Sequence, residues 1–93
     1  MKAIADISII PLGVGLSLSK YVAACERVLR ETGLEPRLHA NGTNVEGELD
    51  EIFAAVKKIH EALHAEGTVR IVTNMKIGTR TDKDASLAKK LFK

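Results

Sequence analysis

Apolar residues occupy alternate positions near the start of the chain, which predicts a β-strand over residues 3–11. One set of positions is wholly apolar, whereas the other mixes isoleucines with Asp6 and Ser8. Because a strand has a period of two, these two sets lie on opposite faces, one apolar and one mixed. Pro11 and the glycine-containing segment after it end this predicted strand.

A helix is predicted after the glycines, beginning at Ser17 or Ser19 and running to about Thr32. Serine is favoured as a helix N-cap, and Gly33 supplies the left-handed residue that commonly terminates a helix. We expect one face of this helix to be buried in the core. The apolar residues at helical spacing that form this stripe are Leu18, Val22, Cys25 and Leu29.

Two short strands joined by a tight turn are predicted next. Residues 34–40 have the pattern of a short strand, and residues 43–47 return as a third strand. The dipeptide Asn41-Gly42 between them is a strong signal for a two-residue hairpin turn. We interpret the second strand, which bears Arg37 and His39, as an edge of the sheet.

The second predicted helix, over residues 48–66, has the clearest periodicity in the chain. Asp50 and Glu51 in its first turn favour the helix dipole, and Gly67 follows its end. Its apolar face consists of Leu49, Ile52, Phe53, Val56, Ile59 and Leu63. A fourth strand is predicted over residues 68–79, with one face formed by Val69, Ile71, Thr73, Met75 and Ile77.

The order of elements is therefore βαββαβ, which predicts an α+β protein with a ferredoxin-like sandwich. Right-handed connections place both helices on one face of a four-stranded antiparallel sheet. We predict a single domain over residues 1–79, followed by a basic C-terminal tail over residues 80–93. No helix is left to cover the second face, which we expect to contact another subunit, a ligand or both. That face would carry Ile4, Ile10 and Val72 beside Asp6, Ser8, Asn74 and Lys76.

Composition limits the classes of function that this chain can serve. Its 93 residues include one tyrosine, two phenylalanines and no tryptophan, which argues against a base-stacking nucleic-acid platform and an aromatic ligand cage. The single cysteine excludes an internal disulfide and fits a reducing compartment. The longest uncharged run, residues 7–19, contains a proline and two glycines. We therefore predict no membrane span, no targeting segment and a cytoplasmic location.

The net charge of +2 is distributed unevenly along the chain. Up to Met75 there are 8 Lys and Arg against 10 Asp and Glu, a balance of −2, whereas the remainder has 6 against 2, a balance of +4. The basic tail is a candidate contact for an anion or a nucleic acid, although most such tails are only solvated. Its charge is small for strong counterion release, so we predict that the protein binds no nucleic acid.

Catalytic and metal-binding constellations are sparse. His60 and His64 have a spacing that suits two ligands of one metal, but a third ligand such as His39 is not fixed nearby, so we predict no metal site. Cys25 falls on the buried stripe without a basic partner, which disfavours a catalytic thiol. No acid–base or nucleophile–base pair has a supporting spacing, and we predict no catalytic residues and no enzymatic activity.

Two loop segments are candidates for ligand contacts. Gly13-x-Gly15, with Ser17 and Ser19 entering a helix, is either a weak phosphate-binding turn or simply a turn and a cap. Thr43 and Glu46 follow the predicted hairpin turn. Glu46 is either an edge charge that discourages aggregation or a carboxylate that receives an amine or amidine-like donor.

Short motifs run through essentially the whole chain in one order. They are Ile7-Ser8-Ile9-Ile10-Pro11-Leu12-Gly13, Ser17-x-Ser19-Lys20-Tyr21-Val22, Gly33-Leu34, Gly42-Thr43-x-x-Glu46-Gly47, Lys57-Lys58-x-His60-Glu61, Arg70-x-x-Thr73 and Arg80-x-Asp82-Lys83. No single motif is specific, but the ordered set resembles the thiamine-binding protein family, small proteins related in fold to thiamine- and hydroxymethylpyrimidine-binding domains. The resemblance implies a ferredoxin-like protomer, a homotetramer built as a dimer of dimers, and a pocket near subunit interfaces.

The resemblance further implies a non-catalytic protein that binds thiamine or its hydroxymethylpyrimidine moiety. Glu46 would accept a charge-assisted hydrogen bond from the aminopyrimidine, and the acidic body of the chain suits a cationic ligand. The alternative is a regulatory or anion-sensing oligomeric module of the effector-binding ferredoxin-like kind, using the Ser17 turn and the basic tail. We expect no cofactor besides this ligand. The residues expected to contact the ligand are Ile10, Pro11, Ser17, Thr43, Glu46 and Asn74.

Overall fold

The computed structural model describes residues 1–13, 19–83 and 86, and it contains four strands and two helices in the order βαββαβ. Within these residues the sheet order is β2-β3-β1-β4, with antiparallel pairing at each step. This is the predicted ferredoxin-like α+β fold. The elements are β1 (Lys2–Leu12), α1 (Ser19–Glu31), β2 (Arg37–His39), β3 (Gly42–Glu48), α2 (Leu49–Ala65) and β4 (Arg70–Thr79).

The alternation along β1 divides the sheet into two unlike faces, as predicted. Ala3, Ala5 and Ile7 are 0–3% exposed and belong to the core cluster with residues of both helices. We call this side the covered face. Ile4, Asp6, Ser8 and Ile10 alternate with them and lie on the other side, which we call the open face. The register transfers this division to the neighbouring strands: Ile7 pairs with Thr43 and Met75 on the covered face, and Asp6 pairs with Asn44 and Lys76 on the open face.

Both helices end at a glycine in the left-handed conformation, which confirms the predicted stop signals. Gly33 has φ +85° and Gly67 has φ +101°. In each case two backbone hydrogen bonds close the helix end in the Schellman pattern. The Leu34 N–H donates to the Leu29 carbonyl at 3.0 Å, and the Thr68 N–H donates to the Leu63 carbonyl at 3.1 Å.

The buried stripes of the helices agree in part with those predicted. The residues of the predicted stripes that are buried or packed against the core are Cys25, Leu29, Leu49, Ile52, Val56, Ile59 and Leu63. On α1, Val22 is 46% exposed, whereas Ala24, Val28 and Leu29 are buried. Leu18 lies outside the described residues. On α2, Phe53 is 48% exposed, and the buried residues are Ile52, Ala55, Ile59 and Leu63. The prediction followed the largest apolar side chains and omitted two alanines. Ala24 and Ala55 are 4% and 0% exposed and belong to the core cluster, because a close-packed core uses small side chains as well as large ones.

The hairpin between β2 and β3 is also displaced by one residue from its predicted position. His39 pairs with Gly42, so the turn residues are Ala40 and Asn41 rather than Asn41 and Gly42. Strand β2 is the predicted edge strand, but it begins only at Arg37. Upstream of it, the Leu34 N–H is used in the α1 cap and Pro36 has no N–H to donate. These residues are therefore unable to extend the ladder.

Strand β4 begins at Arg70, two residues after the predicted start. The Thr68 N–H caps α2, and Val69 is 84% exposed in the connection. Residues 84–85 and 87–93 of the predicted basic tail lie outside the described residues, so its division from the domain stays a prediction. Among the helices described, none has the length and apolar character needed to cross a membrane.

Candidate functional site

A cavity of about 240 Å³ opens beside the covered face, between β1, α1 and the β2–β3 hairpin. Strand β1 contributes residues 7–9 and Pro11 to its lining. Helix α1 contributes Tyr21, Val22, Cys25 and Leu29, and α2 contributes Ile59. The remaining wall is formed by six consecutive hairpin residues, numbers 38–43. Four segments of the chain, β1, α1, α2 and the β2–β3 hairpin, therefore line this space.

The cavity is mostly apolar, with a few polar groups at one side. Ile7, Ile9, Pro11, Val22 and Leu38 supply hydrocarbon surface. Polar residues on the lining come mainly from the hairpin, at His39, Asn41 and Thr43. The His39 ring itself lies on the open face with Asp6, so Asn41 and Thr43 are the hairpin residues whose side chains are available to the cavity. An apolar container with a small number of convergent polar groups is the usual character of a small-molecule site. The walls carry no lysine, arginine or carboxylate among the described residues.

Cys25 lies in this wall and is half-buried. Burial disfavours the charged thiolate and raises the pKa of Cys25 to about 11. The thiol is therefore protonated at neutral pH, when a nucleophile would need to be a thiolate. Its contribution to the site is apolar surface.

The residues predicted to contact a ligand fall on both sides of the sheet. Pro11 and Thr43 line the cavity. Ile10, Glu46 and Asn74 lie on the open face, because they alternate with the buried positions of β1, β3 and β4. Ser17 lies outside the described residues, so the predicted anion-binding turn at the start of α1 stays a prediction. The structure thus brings two of the six residues together at the cavity.

The three predicted residues on the open face, Ile10, Glu46 and Asn74, do not form one cluster. Glu46 is opposite Ile4, whereas Asn74 is opposite Ser8. These two positions on β1 are four residues apart, which corresponds to about 13 Å at the usual rise of a strand. Glu46 and Asn74 therefore lie too far apart to bind the same small heterocycle. The Thr43 hydroxyl and the Glu46 carboxylate are on opposite faces, as the period of two predicts.

One end of the open face is apolar. Ile10, Leu12 and Val72 are 37–43% exposed, and Ile10 and Val72 are direct partners across β1 and β4. None of these three residues belongs to the buried core or to the partly buried residues packed against it. The structure therefore shows the mixed, uncovered face that the sequence predicts, with its apolar part at the Leu12 end of β1.

The histidines do not form a metal centre. His60 Nε2 lies 2.6 Å from the Thr73 hydroxyl, and the His64 Nδ1–H donates to the Thr68 carbonyl at 2.7 Å. His39 is on the other side of the sheet, where it contacts Asp6. No group of three or more His, Cys, Asp or Glu among the described residues is arranged to bind a metal ion.

A family model described as "Thiamine-binding protein" matches residues 5–93. The chain belongs to this family. The family was expected from the ordered motifs, and the match extends over nearly all of the sequence.

Relatives of the chain occur in bacteria, archaea and fungi. It is 53% identical over 91 residues to the UPF0045 protein sll0230 of Synechocystis, covering 98% of this chain and 75% of that protein. It is 39% identical over 92 residues to the UPF0045 protein ECM15 of Eremothecium gossypii, covering 98% of this chain and 88% of that one. The crystal structure of the hypothetical protein MJ1052 of Methanocaldococcus jannaschii superposes with a TM-score of 0.89 at 41% identity, covering 98% and 93% of the two chains. The ferredoxin-like fold is therefore shared with a solved relative.

The sequence interpretation missed Tyr21 and Leu38 as cavity residues. Leu38 pairs with Thr43, so both point to the covered face beside Ile7. The predicted turn would pair Leu38 with Val45, and the observed turn pairs it with Thr43. Both pairings place Leu38 on the covered face, because Thr43 and Val45 lie on the same side of β3, so the alternation of the strand was the available signal. Tyr21 appears in the motif Lys20-Tyr21-Val22, where its aromatic ring was the available signal.

Proposed function

We propose that this protein binds thiamine or its hydroxymethylpyrimidine moiety without transforming it, and that the cavity beside Pro11 and Thr43 is the binding site. The proposal is carried by one observation, an apolar cavity with hairpin polar groups in a chain that belongs to the thiamine-binding protein family. Its walls contain no pair of groups suited to acid–base catalysis among the described residues. A binding function requires no such pair.

The size of the cavity favours one heterocycle rather than the whole of thiamine. Ligand pockets commonly begin at about 300 Å³, and this one is about 240 Å³. The aminopyrimidine ring is flat and apolar on its faces, which suits contact with Ile9, Pro11 and Val22. Its exocyclic amine and ring nitrogens need partners at the edge, where the Thr43 hydroxyl can donate and accept. The thiazolium cation would then remain at the mouth, where water solvates its charge.

The location of the site is tested by a matched pair of variants at two positions of β3 that face opposite sides of the sheet. Thr43→Val removes a cavity hydroxyl while preserving the shape of the side chain. Glu46→Gln removes a carboxylate on the opposite face with equal conservation of shape. Titration calorimetry with thiamine and with hydroxymethylpyrimidine is expected to show weaker binding in Thr43→Val and unchanged binding in Glu46→Gln.

Other results of this titration would contradict the proposal in different ways. Loss of affinity in Glu46→Gln alone would move the ligand to the open face. Absence of binding by the native protein, combined with thermal stabilisation by sulfate or phosphate, would favour the anion-sensing alternative. Turnover of either compound, followed by mass spectrometry, would show that the protein is an enzyme.

We also propose that copies of the chain assemble through the open face into a dimer of dimers. The apolar end of that face is 37–43% exposed at Ile10, Leu12 and Val72, and its burial would be favourable. Light scattering at micromolar concentration is expected to give the mass of a tetramer. A mass near that of the 10.1 kDa chain would overturn this proposal.

A further inference from the structure

The β2–β3 hairpin forms one wall of the cavity but has few backbone attachments to the sheet. Strand β2 has three residues and lies at the edge, so it is paired to β3 alone. Its three residues are exposed, and the turn residues Ala40 and Asn41 are exposed as well. A short edge strand with exposed backbone hydrogen bonds opens readily. The wall therefore needs an additional attachment if the cavity is to keep a defined shape.

A side-chain pair on the open face supplies this attachment. His39 of β2 reaches across β3 to Asp6 of β1, and the His39 Nε2 to Asp6 Oδ1 distance is 2.7 Å. The two residues are separated by 33 positions in sequence. This hydrogen bond joins the edge strand directly to the central strand, past the strand that lies between them.

Gly42 leaves the space through which the pair forms. A Cβ at this position would lie 2.8 Å from Asp6 Oδ1, 3.0 Å from the Ile7 carbonyl oxygen and 3.2 Å from His39 Cε1. Carbon atoms do not normally approach an oxygen so closely. Gly42 does not have a positive φ, so the requirement for glycine here is steric rather than conformational. Any other residue would displace the pair or the backbone of β1.

The second ring nitrogen of His39 determines the direction of the hydrogen bond. The Asn41 N–H donates to His39 Nδ1 in a long contact of 3.4 Å. Nδ1 is therefore the acceptor, and in the neutral ring the proton resides on Nε2, which donates to the Asp6 carboxylate. One imidazole thus connects a turn residue that lines the cavity to the central strand.

We infer that Asp6 and His39 are positioning residues that fix the hairpin wall of the cavity from the opposite side of the sheet. Their significance for thiamine affinity rests on the proposed function, but their effect on the cavity does not. Cys25 lies in the facing wall and is the single cysteine of the chain, so its accessibility reports the state of the cavity without any ligand.

The experiment measures the rate at which Cys25 reacts with a neutral thiol reagent at fixed pH. Asp6→Ala and His39→Leu remove the hydrogen bond, and both are expected to raise the rate about two- to fivefold, the range for loss of an exposed charge-assisted pair. Gly42→Ala is expected to do the same, since its Cβ collides with Asp6. Asp6→Asn retains an oxygen acceptor for the Nε2–H and is expected to stay near the native rate.

Two controls separate a local effect from a general one. Asp82→Ala breaks the hydrogen bonds that Arg80 donates to Asp82 after β4, and it is expected to leave the rate of Cys25 unchanged. Amide exchange at Ile52, which is 0% exposed in α2, reports global unfolding and is expected to be unaffected by Asp6→Ala. A parallel rise at Ile52 would make the effect global and would overturn the inference.

An unchanged Cys25 rate in both Asp6→Ala and His39→Leu would also overturn it. The proposed function fails separately, when the native protein shows no binding of thiamine or hydroxymethylpyrimidine. If the native protein binds, Asp6→Ala is expected to weaken affinity by a factor similar to the increase in Cys25 rate, with Asp6→Asn restoring it.

Discussion

The two faces of the sheet are built from the same four strands but have opposite relations to function. The covered face is filled by small and branched residues, and where α1 diverges from the hairpin it leaves a cavity of about 240 Å³. The open face carries charged side chains, including Asp6, Glu46 and Lys76, and none of these three lines the cavity. The cavity and these charges therefore lie on opposite sides of the same sheet.

The comparison shows that reactive side chains do not by themselves mark the binding site. In this protein these charged residues and the cavity lie on different faces of the sheet. Glu46 is a candidate ligand contact in the sequence because carboxylates bind amines. The cavity, however, is lined mainly by apolar side chains. Asp6 on the open face is joined to the hairpin wall of the cavity by its hydrogen bond with His39. Substitutions on each face test how independently the two faces contribute to stability and reactivity.

The largest expected contrast is between two aliphatic truncations. Ile52→Ala, at a site 0% exposed beneath the covered face, is expected to lower the free energy of unfolding by about 2–5 kcal/mol because it leaves a cavity in a close-packed core. Val72→Ala, at a site 43% exposed on the open face, is expected to cost about 0.5 kcal/mol in an isolated chain. Urea denaturation followed by circular dichroism measures both.

Measuring the same two variants at several protein concentrations tests whether the open face is buried against a second copy. If the open face is buried against a second copy, the cost of Val72→Ala rises with concentration, because assembly and folding are then coupled. Equal costs for the two variants in a demonstrated monomer would contradict the division of the sheet into covered and open faces.

Substitution of two glycines by alanine is expected to change the free energy of unfolding in opposite directions. At Gly47, opposite Ala3, a Cβ would lie 2.6 Å from Leu34 Cδ2, so Gly47→Ala is expected to destabilise the fold by about 1–3 kcal/mol through overpacking. At Gly78, opposite Ile4, the nearest atom is Ile4 Cγ1 at 3.8 Å, an ordinary contact. Gly78→Ala is therefore expected to stabilise by about 0.4–1 kcal/mol, since it reduces the entropy of the unfolded chain.

Thermal and urea unfolding of these two variants, in one buffer, gives the comparison directly. Destabilisation of similar size by both would indicate that the open face is as tightly packed in solution as the covered one. The result would then support burial of Gly78 by another copy of the chain.

The smallest expected effect is the dependence of stability on the ionisation of the Cys25 thiol in the cavity wall. Burial raises the pKa of Cys25 from 9.0 to about 11, so the folded state retains the thiol proton more tightly than the unfolded state. This contribution to stability is complete below about pH 9 and is lost as the pH rises from 9 towards 11. Alkylation of Cys25 is expected to be slow at pH 8 and to accelerate up to about pH 11.

A matched variant places the same thiol on the other face. In the double variant Cys25→Ser with Val72→Cys, the cysteine is on the exposed open face and is expected to have an ordinary pKa and rapid alkylation at pH 8. Identical pH profiles for the two thiols would mean that the Cys25 thiol is as accessible to solvent as a thiol on the open face.

Most of the fold was predictable because local signals act at short range. The alternation along β1, the apolar period of α2 and the glycines at positions 33 and 67 were interpreted correctly from sequence. Errors arose where two local requirements compete. The Leu34 N–H is needed by the helix cap and is therefore unavailable to β2, and small alanines rather than Val22 and Phe53 face the core.

The candidate site was predictable only in part. Pro11 and Thr43 were identified, and both line the cavity. Leu38 was not, although both the predicted and the observed pairings place it on the same face as Thr43. The missing information was that a cavity lies between that face and α1, which no local pattern shows. Asp6 and His39 are separated by 33 positions, and no local pattern indicates that they meet.

The sequence by itself determined the order of the elements, the ends of the helices and which residues of each strand share a face, because those properties depend on neighbours within a few positions. Only the tertiary structure decided that a cavity exists, that Cys25 is half-buried in its wall and that Asp6 reaches His39 across β3. These depend on the pairing register and on the distance between a helix and a hairpin. Both are set by packing between residues that are remote in the chain.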